Sequence, residues 1–282
     1  MKEIDVSRIV PEVKRLCLEI NYYASSDLVD KIQESIRNEE SPLAREILEQ
    51  TLKNIKLAAQ EQLPMCQDTG VAIVFVELGQ DVHLTGGDLS AAINEGVRQG
   101  YAAGYLRKSM VAEPLFERVN TGDNTPAIIH TEIVPGENIK ITLAAKGAGA
   151  ENMSELRMLK TADGIAGVKD FIVDVVRRAG GNPCPPVIVG VGIGGNFEQC
   201  ALLAKKALLR PLNEKNPDPR LATIENEVLD RINQLGIGPQ GLGGRTTALA
   251  VQILSRPCHL AALPVAVNLD CHVHRHATVL IE

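Results

Sequence analysis

A chain of 282 residues with no Trp, four Phe and four Tyr has to build its interior from aliphatic side chains. Aromatic rings are normally the largest units of buried area, so this core must be assembled from many Val, Ile, Leu and Ala residues. The length is ample for such a core and corresponds to one or two domains. Hydrophobic residues at 45% and charged residues at 23% are the balance of a globular chain, not a disordered one. The shortage of rings also argues against RNA and single-strand binding, which rest on stacking platforms. A net charge of −6 argues against nucleic acid generally. No apolar run approaches the roughly 18 residues that span a bilayer, so no membrane partner is expected. The opening MKEIDVSRIVPEVKRL is charged throughout and has no apolar h-region, so no signal peptide and a cytoplasmic location are expected.

Periodicity organises the chain. Residues 6–36 read as one helix, with Ile9, Val13, Leu16, Cys17 and Ile20 on one face. Ser41-Pro42 reads as an N-cap with Pro at the first helical position, opening a helix to about Ala59. Val71–Leu78 is a buried strand, and Asp88 caps a helix to about Leu106. Pro126–Val134 and Ile139–Ala145 read as a hairpin around Pro135-Gly136-Glu137-Asn138. Ile165–Arg178 is helical and stops at Gly180-Gly181. A strand over Pro186–Gly192 and a helix over Asn196–Leu209 follow. PLNEKNPDPR (211–220) is a polar loop, Leu221–Leu235 a helix, and Thr247–Leu254 and Val265–Leu280 strands. The fold class expected is mixed α/β: a helical N-terminal part (1–62), then an α/β body with an aliphatic core (63–282), with one continuous domain (1–282) as the alternative.

The six cysteines are where chemistry concentrates. None sits in a C-x-x-C pair, which removes zinc-ribbon and thioredoxin-type readings, and a cytoplasmic chain of this size is not expected to use them as disulfides. Cys17 and Cys200 lie on aliphatic helix faces and read as core. Met65-Cys66-Gln67-Asp68-Thr69-Gly70 packs a thiol, an amide, a carboxylate and a hydroxyl ahead of a strand, the usual way of mounting a site; a Gly-terminated turn with a buried thiol is the plain alternative. Pro183-Cys184-Pro185-Pro186 stiffens the backbone around its thiol, although an ordinary loop before a strand reads the same. Asp270-Cys271-His272-Val273-His274-Arg275-His276, if extended, puts three His on one face, where they could bind zinc or simply be solvated or hydrogen-bonded. Cys258, before His259, is undecided.

Two Gly-rich stretches invite nucleotide readings. Gly190–Gly195 fits G-x-G-x-x-G literally, but the acidic second strand of a dinucleotide fold is replaced by the 211–220 loop. Gly238–Thr246 lacks the P-loop Lys. Both stretches could still offer backbone N–H groups to a carboxylate. Basic side chains group at Arg107-Lys108 and at Lys146, and Arg is the residue for bidentate carboxylate recognition.

Taken together, MCQDTG, VNTGDNTPA, KGAGAENMSELRML, NPCPPVIVGVGIGG, GIGPQGLGGRTTALAV and LPVAVNLDCHVHRHA resemble, in order from about residue 60 to the C-terminus, the class I iron–sulfur-dependent fumarase and L-tartrate dehydratase family. The resemblance covers the part of that family called the α subunit, without the second half of single-chain members. It therefore implies a separate β subunit and an (αβ)₂ assembly. It implies a [4Fe–4S] cluster held by Cys66, Cys184 and Cys271, a spacing unlike that of ferredoxins. Three thiolates on four irons leave one iron open as a Lewis acid for the hydroxyl and carboxylate of a 2-hydroxy acid. It further implies Asp68 as the proton-handling residue and Gln67, Arg107, Gly147 and Gly149 as substrate contacts; here the Gly-rich turn reads Gly-Ala-Gly. The implied reaction is reversible hydration of fumarate to L-malate, with dehydration of L-tartrate to oxaloacetate as the alternative for a four-carbon dicarboxylate. A zinc-binding, non-enzymatic protein using Cys258-His259 and the 271–276 segment is the distant alternative.

Overall fold

The computed structural model describes residues 2–282. In chain order the elements are β1 (Lys2–Asp5), α1 (Ile9–Tyr22), α2 (Ser26–Asn38), α3 (Pro42–Glu61), β2 (Val71–Gly79), β3 (Val82–Thr85), α4 (Leu89–Ala103), β4 (Ile128–Val134), β5 (Ile139–Lys146), α5 (Ala148–Glu151), β6 (Glu155–Leu159), α6 (Gly164–Ala179), β7 (Val187–Gly195), α7 (Phe197–Ala207), α8 (Pro219–Asn233), β8 (Ala248–Cys258), β9 (Leu263–Asp270) and β10 (His276–Ile281). This is the mixed α/β class the sequence implies, with helices first and sheets interleaved with helices after. Among the described residues no helix is long and apolar enough to cross a membrane.

The chain divides into two compact units, each drawn from separated segments. The first comprises residues 1–24, 54–148 and 275–282; the second comprises 25–53 and 149–274. In the first unit a four-stranded sheet runs β10-β5-β2-β4, and β1 pairs with β3 apart from it. Its core joins α1 and α4 to the sheet through Ile9, Val13, Leu16, Ile93, Val97, Val74 and Leu143. In the second unit the order is β6-β9-β7-β8, and its core is almost wholly Val, Ile, Leu and Ala, with Phe171 the one ring. The aromatic shortage is felt as expected: Tyr23, Tyr105, Phe116 and Phe197 are exposed, and the four buried rings, Tyr22, Phe75, Tyr101 and Phe171, stand among a large majority of aliphatic side chains.

Local signals account for most element ends. The Asp88 carboxylate accepts the Ala91 N–H at 2.7 Å and opens α4. Asn196 caps α7 through the Gln199 N–H at 3.1 Å, and α6 stops at Gly180 with φ +56°. Three expectations need correction. Residues 6–36 are two helices, because the chain turns extended at Tyr23 (φ −122°) and Ser25 (ψ 150°).

β4 and β5 are not a hairpin: β2 lies between them, parallel to β4 and antiparallel to β5. The run VAIVFVELG is largely buried, and the backbone groups along its two edges are satisfied by β4 on one side and β5 on the other. The end of β2 reaches the 134–138 turn through Gly79 N–H to Asn138 O and Asp81 N–H to Gly136 O. Finally, residues 265–280 are not one strand. β9 ends at Asp270, β10 starts at His276, and the two belong to different sheets.

Candidate functional site

The first unit gathers most of the residues singled out in the sequence. The segment ahead of β2 starts from a fixed point: the Met65 N–H donates to the Asn21 carbonyl at 2.9 Å, and the Met65 carbonyl accepts from Asn54 Nδ2 at 2.8 Å. Cys66 and Asp68 are half-buried and Gln67 is exposed. The Asp68 carboxylate is held at both oxygens, with Oδ1 accepting the Gly70 N–H and Oδ2 the Ala148 N–H, each at 3.0 Å. Asp68 thus joins the start of β2 to the residue after Gly147, at the end of β5.

A second set of bonds ties in the long loop after α4. The buried Thr69 hydroxyl donates to the Arg107 carbonyl at 2.9 Å. Asn124, fully buried, donates from Nδ2 to the Gly70 carbonyl at 3.2 Å and accepts the Ser109 N–H at 2.7 Å. The Tyr101 hydroxyl lies 2.8 Å from the Thr69 carbonyl and 3.0 Å from that of Gly70. Burial pushes the Tyr101 phenol up, so it stays a donor to these carbonyls. Arg107 itself is exposed on this tethered loop. Asn21, Tyr101 and Asn124 were not singled out from sequence. Asn124 lies inside the VNTGDNTPA motif, and Tyr101 is one of only eight rings, which are the only signals available.

Cys184, Cys271 and Gly149 belong to the second unit. Cys184 is exposed and sits in the left-handed region at φ +55°, a conformation costly for a residue with a β-carbon. His272, next to half-buried Cys271, reaches the Cys184 loop: its Nδ1 is 2.9 Å from the Cys184 carbonyl, which can only accept, so Nδ1 is the donor there. Gln240 pins the following residue, with both its backbone N–H (2.8 Å) and its Nε2 (3.1 Å) donating to the Pro185 carbonyl. Gly149 lies in the short α5, where an added β-carbon would meet only the Asn182 carbonyl at 3.6 Å.

The cysteines separate by environment. None is in a disulfide. Cys17 and Cys200 are fully buried, and burial pushes the Cys17 thiol up to about 12, far from the thiolate that binds metal. Cys66, Cys184 and Cys271 lie outside the regular elements in half-buried or exposed residues, and thiols are the donors an iron–sulfur cluster takes. Cys258 ends β8, exposed, with its thiol 3.3 Å from the Ala262 carbonyl. Among the described residues no three His, Cys, Asp or Glu side chains stand together as a single-ion site.

The three-His zinc reading of 272–276 fails with the strand it assumed. His274 is buried, with Nδ1 2.6 Å from Asp270 Oδ2 and Nε2 2.9 Å from the Leu208 carbonyl, so both ring nitrogens are engaged.

The Gly-rich stretches also resolve. Gly190 and Gly192 are inside β7, where an added β-carbon would stand 2.3 Å from the Ala204 carbonyl oxygen and 2.0 Å from that of Cys200. These glycines let α7 lie against the strand; they are not a phosphate turn. The second stretch does cradle a carboxylate, and it comes from the same chain. Glu39, 2% exposed, accepts the N–H groups of Arg245 (3.0 Å) and Thr246 (2.8 Å), the Thr246 hydroxyl (2.7 Å) and the Ser41 N–H (3.1 Å).

Burial alone raises the Glu39 pKa. The Arg245, Thr246 and Ser41 donors outweigh it and bring the group down to about 2 from 4.5. That fall corresponds to about 3 kcal/mol of folding free energy. Because the folded value is the lower one, the stability is present above pH 4.5 and drains as the pH falls toward 2. Glu39→Gln should lower the denaturation midpoint at pH 7, and its deficit against wild type should shrink between about pH 4.5 and 2. A deficit that stays constant over that window would contradict this account.

Comparison with known proteins places these features. The family model described as fumarate hydratase (fumerase) matches residues 10–280. A protein of Methanocaldococcus jannaschii, provisionally named L(+)-tartrate dehydratase subunit alpha, is 40% identical over 282 residues, 98% of each chain. The L(+)-tartrate dehydratase subunit alpha of Escherichia coli O157:H7 is 32% identical over 285 residues, covering 100% of this chain and 93% of its own. The protein of the same name from Escherichia coli K12 matches at the same identity and coverage.

Proposed function

Because the chain belongs to the class I fumarate hydratase family, we propose that it is the α subunit of an iron–sulfur hydro-lyase acting on a four-carbon 2-hydroxydicarboxylate, with L-tartrate as its leading substrate. The observation that carries the reading is the match, over 98% of the chain at 40% identity, to a relative named for tartrate. The motif resemblance alone put fumarate and malate first; the relatives' names reverse that order. Loss of one water from tartrate leaves an enol that rearranges to oxaloacetate, with no net redox change.

Cys66, Cys184 and Cys271 are the proposed ligands of a [4Fe–4S] cluster. When bound, the cluster supplies Lewis-acid polarisation of the departing hydroxyl. Asp68 moves the proton. Its two backbone donors fix the carboxylate in one orientation, the preorganisation that proton transfer requires. Gln67, next to Asp68 in sequence, and Arg107, on the loop tethered at Thr69, are both exposed; they orient the substrate carboxylates, and Gly147 and Gly149 offer close backbone approach. The partner is a β subunit, since the relatives are named as α subunits, and the assembly proposed is (αβ)₂. A reducing cytoplasm suits six cysteines with no disulfide.

The test is a comparison of kcat/KM for L-tartrate and L-malate in the enzyme reconstituted with its β chain. We expect tartrate to lead by about 10-fold or more, since a site built to bond the second hydroxyl rejects a substrate lacking it. The α chain alone should be nearly inactive. A preference for malate would restore fumarate hydration as the activity, and full turnover by the isolated chain would remove the β subunit from the reading.

A further inference from the structure

We propose that Arg275 holds a carboxylate of the substrate beside Gly147, an inference that rests on the functional reading above. Arg275 is 3% exposed. It sits where the last segment of the first unit begins, its carbonyl accepting the Ala145 N–H at 3.1 Å. One of its five N–H donors goes to Asn21 Oδ1, at 3.0 Å from Nη1. Its Nε is shielded from solvent and has no partner, and it forms no ion pair among the described residues. A buried guanidinium without a carboxylate is costly by several kcal/mol and persists where something else supplies the anion.

The direction of the guanidinium shows where that anion belongs. Around the point where a β-carbon would stand on Gly147, Asp68 Oδ2 lies at 3.2 Å and Arg275 Nη2 at 3.8 Å. The proposed proton-handling carboxylate and a buried positive charge thus both lie next to Gly147. Asp68 does not neutralise that charge by contact: it accepts the Gly70 and Ala148 amides and lies beyond ion-pair distance of Arg275.

Asn21 has the supporting role. It is fully buried, and its Nδ2 is fixed on the Cys17 carbonyl at 2.8 Å, which leaves Oδ1 to orient Arg275. Its own carbonyl takes the Met65 N–H, so one residue of α1 sets both the guanidinium and the approach to Cys66. Arg107 is exposed, whereas Arg275 is buried and held by Asn21. A dicarboxylate with one end on each is thereby oriented relative to Asp68.

The experiment uses the assembled αβ enzyme and succinate, a dicarboxylate with no hydroxyl to lose. Its competitive inhibition constant and its thermal stabilisation of the protein are measured alongside iron content. Arg275→Gln should weaken succinate binding by about 10- to 100-fold, the range for a lost charge-assisted bond, and raise KM more than it lowers kcat, with iron content unchanged. Arg275→Lys, which keeps the charge and loses the fork, should fall between. Succinate binding within threefold of wild type in an iron-replete Arg275→Gln protein overturns the inference. If that variant does not fold, Arg275→Lys decides by the same measurement: weakened succinate binding supports the proposal and binding within threefold of wild type overturns it. A wild-type enzyme that binds no dicarboxylate overturns the functional reading as well, whereas wild type and Arg275→Gln that bind alike overturn only this inference.

Discussion

Cys66→Ser, Cys184→Ser and Cys271→Ser should each yield αβ protein without its full iron and sulfide and without hydro-lyase activity, while Cys17→Ser keeps both. The difference follows from chemistry at each sulfur. A cluster ligand must be a thiolate, and Ser replaces it with a hydroxyl that does not ionise near neutral pH. The three proposed ligands are half-buried or exposed and lie outside regular structure, so their loss leaves the two cores intact. Cys17 is wedged in the α1–α4 core with its thiol pushed up to about 12 by burial, and its replacement costs packing and a buried hydroxyl, not metal. The check is iron and sulfide analysis on anaerobic protein beside a melting curve. An iron-replete Cys184→Ser, or an iron-free Cys17→Ser of normal stability, would break the assignment.

Asp68→Asn should lower kcat by about 10²- to 10⁴-fold, the range for a lost general acid–base group, with cluster content retained. Asn removes the titrating proton, and it also fails the local geometry. Asp68 presents two oxygens to two backbone donors, Gly70 N–H and Ala148 N–H. Asn has one oxygen, so its amide N–H₂ must face one of those donors. Asp68→Glu keeps both acceptors but displaces them by a methylene, and should recover part of the rate. Steady-state kinetics on protein of equal iron content provides the measurement. A kcat for Asp68→Asn within about threefold of wild type would take proton transfer away from this residue.

The legible parts of this protein share a cause. α4, α6 and α7 were readable because their ends are set by neighbours in sequence: Asp88 on the Ala91 N–H, Gly180 at φ +56°, Asn196 on the Gln199 N–H. The loop of Cys66, Gln67 and Asp68 was legible as a polar cluster mounted on a strand. The failures share a cause too. The apparent β4–β5 hairpin has a plausible turn and correct alternation, but β2, the more apolar strand, lies between the pair. The run 265–280 is continuous in composition, and nothing local says that Asp270 and His274 close on each other within it. Both Gly-rich stretches looked like ligand loops because spacing cannot distinguish a helix packed on Gly192, or a carboxylate 206 residues away on Glu39, from a bound phosphate.

By itself, then, the sequence determined the aliphatic character of the core, the mixed α/β class, most helix ends, and the residues on which a site could be built. These depend on side-chain type and short-range spacing. The tertiary structure decided what those residues face. It set β2 between strands from later in the chain and gave the second Gly-rich loop its own Glu39. It also buried Arg275 beside Gly147 with Asn21 behind it. Such contacts join residues tens to hundreds of positions apart, so their partners are fixed by packing and charge compensation across the fold, which no local pattern encodes.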